Sequence, residues 1–98
     1  MTITSKQRAY LRSLAMTLDP IFQIGKSSLT PEVCTSVGEA LEKRELVKIS
    51  VLKNCEDDPK AIAEALAGRT QSILVQVVGR KITLYRQAKE PKIELPNK

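Results

Sequence analysis

The chain has 98 residues, with sixteen Lys and Arg against eleven Asp and Glu, and this net charge of +5 favours polyanionic partners such as nucleic acid or an anionic membrane surface. Histidine is absent, which excludes Ser-His-Asp and Cys-His catalysis and His-ligated zinc. Aromatic residues make up 3% of the chain, too few for the base-stacking platforms of many RNA-binding sheets.

The first predicted elements are a helix and a short strand. Thr4 can cap the helix, and Gln7 three residues later completes a capping box. The Asp-Pro step at 19–20 is expected to end this helix. Its apolar stripe follows the helical repeat and comprises Leu11, Leu14, Ala15 and Leu18. Residues 21–24 then predict a strand, and residues 25–28 a polar turn.

The next pair of elements is a helix followed by a strand. Thr30 and Pro31 predict the helix start, and Leu29 and Cys34 are placed for a hydrophobic staple across it. The face expected to be buried comprises Val33, Val37, Ala40 and Leu41. Residues 46–52 predict a strand, with one face formed by Val47, Ile49 and Val51.

The last part of the chain predicts a helix and a hairpin. The sequence Asp57-Asp58-Pro59 begins the helix by the same combination of cap and proline, and Gly68 is expected to end it. Two strands follow at 72–78 and 81–86, and a two-residue turn with glycine first, Gly79-Arg80, joins them.

The element order is therefore α-β-α-β-α-β-β, which predicts an α/β fold. The βαβ steps require parallel neighbours or near neighbours, whereas the final hairpin is antiparallel. We expect one compact domain over residues 1–98, with a mixed four-stranded sheet and helices on at least one face. Its core would span about residues 4–86, and residues 87–98 would form a tail that Ile93 and Leu95 could dock.

The positive charge is unevenly distributed along the chain. Residues 1–26 have a balance of +3 and residues 80–98 a balance of +4, whereas residues 27–79 have a balance of −2. A fold that brings the two basic segments together would form one basic face. The alternative is that these charges only solvate the surface.

The segment Gly25-Lys26-Ser27-Ser28 lies between a predicted strand and a well-capped helix. Backbone N–H groups at such a turn and at a helix N-terminus favour an anionic ligand, and Lys26 adds a positive charge. Gly25 permits close approach of a phosphate. KH domains hold nucleotide backbones with a GxxG loop on this principle, although an ordinary βα turn has the same composition.

Further candidate contacts are basic or aromatic side chains outside this loop. Those for phosphate are Arg8, Arg12, Arg80, Lys81 and Arg86. Tyr85 is a weaker candidate for stacking on a base, because tyrosine near a strand end usually packs against the core. No catalytic or metal-binding set is predicted, and the acidic residues of the second helix are expected to form a solvated face: Glu39, Glu42 and Glu45.

Two cysteines without a CxxC pair are typical of a reducing cytosol, so a cytoplasmic location is expected. Cys34 is expected in the core, whereas Cys55 lies in a polar segment where exposure is plausible. The N-terminus lacks the apolar region of a signal peptide, and no apolar run is long enough to span a membrane.

Several blocks of the sequence resemble the CRM domain, and most closely its stand-alone bacterial form, the YhbY-type ribosome-associated proteins. The resemblance runs from about residue 4 to 96. Its blocks are Ser5-Lys6-Gln7-Arg8 with Leu11-Arg12, residues 20–26, Leu29-Thr30, residues 40–48, and residues 75–80 leading to Leu84-Tyr85-Arg86.

The resemblance implies a fold similar to the C-terminal domain of translation initiation factor three, and binding of RNA in precursors of the large ribosomal subunit. The family's GxxG loop maps onto residues 25–28. This chain departs from that pattern at Ser28, which replaces the second glycine. Serine can donate a hydrogen bond to phosphate, but a positive φ costs it more than glycine.

These observations favour a non-enzymatic RNA-binding protein that assists assembly of the large ribosomal subunit without a cofactor or small-molecule substrate. Its contacts would be mainly to phosphates. The alternative is a protein-interaction module, in which the acidic middle helix and the tail contact a ribosomal protein or an assembly factor.

Overall fold

The computed structural model describes residues 2–97. Its elements in chain order are α1 (Ser5–Ala15), β1 (Phe22–Ile24), α2 (Pro31–Arg44), β2 (Leu46–Val51), α3 (Pro59–Thr70), β3 (Ile73–Val78) and β4 (Lys81–Tyr85). The strands form one sheet in the order β1-β2-β4-β3. β1 is parallel to β2, and β4 is antiparallel to both β2 and β3. The predicted α/β fold with a mixed four-stranded sheet is confirmed.

Helices cover both faces of this sheet. α2 and α3 pack on one face, where the main core includes the predicted inward residues of β2, Val47, Ile49 and Val51. α1 covers part of the other face, and a smaller core there contains Leu11, Leu46 and Tyr85. Ile93 and Leu95 pack against this smaller core, so the predicted docking of the tail is confirmed.

The predicted helix starts are correct, with one difference in detail. The Gln7 N–H donates to Thr4 Oγ1 and the Thr4 N–H donates to Gln7 Oε1, at 3.1 and 3.0 Å, which completes the capping box of α1. Thr30 Oγ1 accepts the Val33 N–H at 3.2 Å. Asp58 occupies the N-cap of α3, but its side chain makes no capping hydrogen bond.

Two helix ends differ from the sequence prediction. α1 ends at Ala15, before the Asp-Pro step, and the Leu18 N–H donates to Ala15 O at 3.1 Å in a tight turn. Lys48 Nζ from β2 also donates to the carbonyl oxygens of Ala15 and Leu18, at 3.1 and 3.3 Å. α3 continues through Gly68 and ends at Thr70, where Gln71 turns the chain in the left-handed conformation, with φ 54°. The Asp-Pro step and Gly68 therefore do not mark the ends of these two helices.

Glu45 corrects the expectation of a solvated acidic face. This residue follows α2 with φ 66° and is fully buried. Its carboxylate accepts the N–H groups of Ala88, Lys92 and Ile93, at 2.8, 2.5 and 2.6 Å. Burial alone would raise the pKa of Glu45, but these three hydrogen bonds and the Lys92 charge outweigh it, and the pKa lies below its ordinary value of 4.5. Glu45 therefore holds the tail onto the domain.

The two cysteines are both free thiols. Cys34 is partly buried and packs against the main core, as expected. Cys55 is buried within that core, so the exposure that its polar segment suggested is not found. The polar composition of the segment did not predict this burial, because a single apolar side chain can point inward from a polar loop.

Within residues 2–97, no helix is both long and apolar enough to cross a membrane. The same residues contain no cluster of three or more His, Cys, Asp or Glu side chains that could hold a metal ion.

Candidate nucleic-acid interface

Three connections of the chain meet at one end of the sheet. β1, β2 and β3 run in the same direction, because β1 is parallel to β2 and β4 is antiparallel to both β2 and β3. Their carboxyl ends therefore share one edge of the sheet. We call this the loop end, and it comprises residues 25–30, 52–58 and 79–80.

Hydrogen bonds join these three connections to one another. The Leu52 N–H donates to Ile24 O at 2.8 Å, and the Val51 N–H donates to Arg80 O at 2.7 Å. The Arg80 guanidinium also donates to Leu52 O at 3.2 Å. The relative positions of the three segments are therefore fixed by the backbone, as a preformed binding surface requires.

The Gly25–Ser28 turn is closed by a hydrogen bond from the Ser28 N–H to Gly25 O at 2.9 Å. Ser28 has φ 55°, so this position does require the left-handed conformation that glycine adopts at least cost. Its hydroxyl donates to the carboxylate of Asp57. A Cβ on Gly25 would lie 3.2 Å from Asn54 Oδ1, so the absent side chain lets the second connection approach closely.

Four exposed basic side chains lie in or next to the loop end: Lys26, Lys53, Arg80 and Lys81. Lys26 and Lys53 make no hydrogen bond or ion pair within residues 2–97, so their ammonium groups are available to a ligand. Lys81 Nζ donates to Ser50 Oγ at 2.9 Å, which orients this ammonium over the sheet. Sequence reasoning identified three of these four residues and missed Lys53.

Lys53 could have been found from the fold prediction. It follows β2 in the way that Lys26 follows β1, and the carboxyl ends of parallel neighbours lie on the same edge. The sequence predicted parallel strands but did not identify which strands are adjacent.

A row of side chains crosses the sheet behind the loop end. Gln23 pairs with Ser50, Ser50 with Lys81, and Lys81 with Val78, so one residue of each strand lies in register on the face that carries α1. The side chains of Gln23, Lys81 and Val78 are exposed because α1 covers the sheet further along the strands. The row extends the loop end into a mostly polar strip, which sequence periodicity alone did not reveal.

The two predicted arginines of α1 lie in different environments. Arg8 is half-buried, and its guanidinium donates to Leu74 O and Val75 O at 2.6 and 2.9 Å. These carbonyls lie at the irregularity in β3, where Val75 is left out of the pairing with β4, so Arg8 satisfies backbone acceptors there. Arg12 is exposed and makes no hydrogen bond through its side chain within residues 2–97.

Arg86 and Tyr85, the two predicted RNA contacts at the end of β4, instead interact with other parts of the protein. The Arg86 guanidinium donates to Thr70 O and Gly38 O, both at 2.7 Å, and bridges α2 and α3. Tyr85 is fully buried, so the packing expected of a tyrosine near a strand end is confirmed, and its weaker candidacy for stacking on a base is wrong. Burial, and to a lesser extent the nearby Glu45 charge, raise the pKa of Tyr85 above its ordinary value of 10.0.

The basic segments identified from the sequence separate in the fold. Lys26, Arg80 and Lys81 meet at the loop end, whereas the tail carries Lys89 and Lys92 to the opposite end, beside α2. The expected single basic face is therefore divided. The loop end itself also contains three exposed acidic residues, namely Glu56, Asp57 and Asp58.

This arrangement can bind phosphates but offers no evident reaction chemistry. The loop end combines mobile ammonium groups, a guanidinium and a glycine-containing turn before a helix N-terminus, all suited to phosphate oxygens. No aromatic side chain is present there for base stacking. The geometry favours contacts to a sugar-phosphate backbone.

Comparison with known proteins identifies the family. The CRS1/YhbY (CRM) domain profile matches residues 3–86. The chain is 50% identical over 95 residues to YqeI of Bacillus subtilis, which is named a probable RNA-binding protein, covering 96% of this chain and 99% of YqeI. It is 34% identical over 97 residues to a Haemophilus influenzae protein named as RNA-binding, covering 99% and 98% of the two chains.

A solved structure agrees with this assignment. The fold matches the solution structure of the hypothetical protein SAV1595 from Staphylococcus aureus, which is described as a candidate RNA-binding protein. The TM-score is 0.82 and the sequence identity 51%, and the match covers 97% of this chain and 100% of SAV1595. The profile match, the relatives and the shared fold together show that this chain belongs to the CRS1/YhbY (CRM) domain family.

Proposed function

We propose that this protein binds RNA through the loop end of the sheet. The observation that carries the proposal is the convergence of Lys26, Lys53, Arg80 and Lys81 around the Gly25–Ser28 turn. The relatives named as RNA-binding or probable RNA-binding proteins support RNA binding itself, without locating the site. Exposed Arg12 is a further candidate contact, whereas the guanidiniums of Arg8 and Arg86 serve the protein's own carbonyls.

We further propose that the RNA is rRNA of precursors of the large ribosomal subunit, and that the protein assists assembly in the cytoplasm. The resemblance to bacterial YhbY-type proteins supports this proposal. Binding would neutralise backbone phosphates and recognise RNA shape, because the loop end has cations and a rigid turn but no stacking side chain. Neither a cofactor nor a catalytic step is needed.

The direct test measures binding of a large-subunit rRNA fragment by fluorescence anisotropy over a series of salt concentrations. Lys26→Ala and Lys53→Ala should each weaken binding and reduce the slope of log K against log salt by about 0.7–0.9 for each phosphate that is no longer neutralised. Lys89→Ala is the matched control, because Lys89 is an exposed lysine at the opposite end of the molecule. Equal effects of all three substitutions would contradict a site at the loop end.

A substitution of Asp57 should raise RNA affinity, whereas the lysine substitutions should lower it. Asp57→Asn removes a negative charge beside the Gly25–Ser28 turn but keeps an oxygen that can accept the Ser28 hydroxyl. Affinity for the same RNA should rise about twofold at low salt, from the Coulomb energy of two charges several ångströms apart in water. Weaker binding by Asp57→Asn would show that phosphates do not approach this turn.

Crosslinking in cells, followed by sequencing of the attached RNA, tests the rRNA assignment separately. Large-subunit rRNA should dominate the crosslinked fragments. A spread over messenger RNA and tRNA would overturn the ribosomal proposal, whether or not the loop end binds RNA.

A further inference from the structure

A second exposed surface lies at the opposite end of the sheet from the loop end. It is formed by the connection between α1 and β1, and we call it the α1–β1 patch. Large apolar side chains exposed within residues 2–97 number five, and three of them lie in this connection: Met16, Leu18 and Ile21. Met16 is 80% exposed. Single exposed apolar residues are ordinary on a protein surface, but three in one short connection form a cluster.

The patch borders two adjoining clefts. The volumes are about 360 and 290 Å³, and both clefts are lined by Thr17, Leu18, Arg44 and Leu46. Ile21 lines the first cleft. Clefts of this size accept the anchoring side chains that dominate the energy of protein–protein interfaces.

The exposed side chains are held on a rigid connection. Lys48 Nζ donates to Ala15 O and Leu18 O, and the Ile21 N–H donates to Lys48 O at 2.9 Å. Thr17 Oγ1 donates to Leu14 O at 3.2 Å. The apolar surface is therefore preformed, which lowers the entropy cost of binding a partner.

The charges of the patch determine the chemistry of its occupant. The Lys48 ammonium is engaged by two carbonyls, and Arg44 is exposed with no ion pair or side-chain hydrogen bond within residues 2–97. The Arg44 guanidinium is therefore the available cation that lines both clefts. Asp19 lines the first cleft together with Arg44 and Lys48. Glu39 lines a neighbouring groove together with Lys43 and Arg44. Two basic side chains accompany each of these acids, so charge alone does not exclude a polyanion such as RNA; the exposed apolar side chains of the patch are what favour a protein partner.

We propose that the α1–β1 patch binds a short segment of a partner protein, with apolar side chains in the clefts and one Asp or Glu side chain paired with Arg44. Arg and Met are enriched at such interfaces, and Arg is frequent among the residues that contribute most to affinity. The site is independent of the proposed RNA interface, because the two surfaces lie at opposite ends of β2.

The probe is a library of random twelve-residue peptides displayed on phage, selected on the full chain and then measured singly by fluorescence anisotropy. Peptides that combine apolar residues with Asp or Glu should be enriched. Met16→Ser and Arg44→Ala should each weaken their binding at least tenfold, whereas the control Val78→Ser, an exposed apolar residue at the loop end, should leave it unchanged. Circular dichroism establishes that each variant is folded.

A charge exchange tests the ion pair itself. Arg44→Glu should lose the selected peptide and regain affinity for the same peptide with its acid replaced by lysine. Failure to select any peptide sensitive to Met16→Ser overturns the proposal. So does a concentration-dependent dimer in sedimentation that Met16→Ser abolishes, because the patch would then bind a second copy. A tenfold loss of rRNA affinity in both Met16→Ser and Arg44→Ala would assign the patch to RNA and also overturn it.

Discussion

The substitution Glu45→Gln should strongly destabilise this protein, although a sequence pattern places Glu45 on a solvated helix face. The buried carboxylate accepts the Ala88 N–H through one oxygen and the Lys92 and Ile93 N–H groups through the other. Glutamine can replace only one of these oxygens. The second position becomes an NH₂ donor, which faces a backbone N–H that then has no acceptor.

The expected cost follows from these three hydrogen bonds. An unsatisfied buried N–H costs about 1–3 kcal/mol, and loss of the charge weakens each of the other two bonds by about 0.5–1 kcal/mol. The smaller desolvation cost of the amide offsets part of this loss. We therefore expect the free energy of unfolding to fall by about 2–4 kcal/mol, a large part of the roughly 5–15 kcal/mol typical of a small domain.

Urea denaturation followed by far-UV circular dichroism at pH 7 measures this change. Glu42→Gln is the matched control, since Glu42 is exposed and lies 3.3 Å from the Lys89 N–H and 3.7 Å from the Arg86 guanidinium. The control should change the unfolding free energy by about 0.5 kcal/mol or less. Equal midpoints for Glu45→Gln and Glu42→Gln would refute the reasoning.

Acidification should reproduce part of the Glu45→Gln effect. The pKa of Glu45 in the folded protein lies below its ordinary value of 4.5, so its stabilisation is complete above that value and is lost as the pH falls through the folded pKa. The urea midpoint of the parent should therefore fall more steeply below pH 4.5 than that of Glu45→Gln. Parallel pH profiles would show that the Glu45 carboxylate is not the stabilising group.

Three further substitutions test other parts of the structure. Gly68→Ala should raise the unfolding free energy by about 0.5–1 kcal/mol, because Gly68 lies inside α3 and an added Cβ meets nothing within 4 Å; thermal melting checks this, and a lower melting temperature would contradict it. In urea denaturation, the Ser28→Gly variant should be more stable than the Ser28→Ala variant by about 1 kcal/mol, because glycine adopts the φ of 55° at position 28 at less cost than alanine. Equal stability of the two variants would show that the turn carries no backbone strain. Tyr85→Phe should leave the urea midpoint unchanged or higher, because the Tyr85 hydroxyl is buried with no hydrogen-bond partner within residues 2–97; a loss above about 1 kcal/mol would reveal a partner.

Much of the candidate site could be predicted from the sequence because its signals are local. A glycine-containing turn between a strand and a helix cap identifies a phosphate-binding geometry, and Gly79 before a basic residue identifies a hairpin tip. The availability of each cation could not be predicted in this way. Arg8 and Arg12 are one helical turn apart, yet Arg8 is bound to β3 carbonyls that are more than sixty residues away in the chain.

The sequence by itself determined the order of the elements, the helix caps at Thr4 and Thr30, and the alternation of β2. These features depend on interactions between residues a few positions apart. Only the tertiary structure decided that Glu45 is a buried acceptor for the tail, and that Tyr85 is buried. It also decided that the +5 charge is divided between two ends, because strand adjacency and burial depend on which distant segments meet.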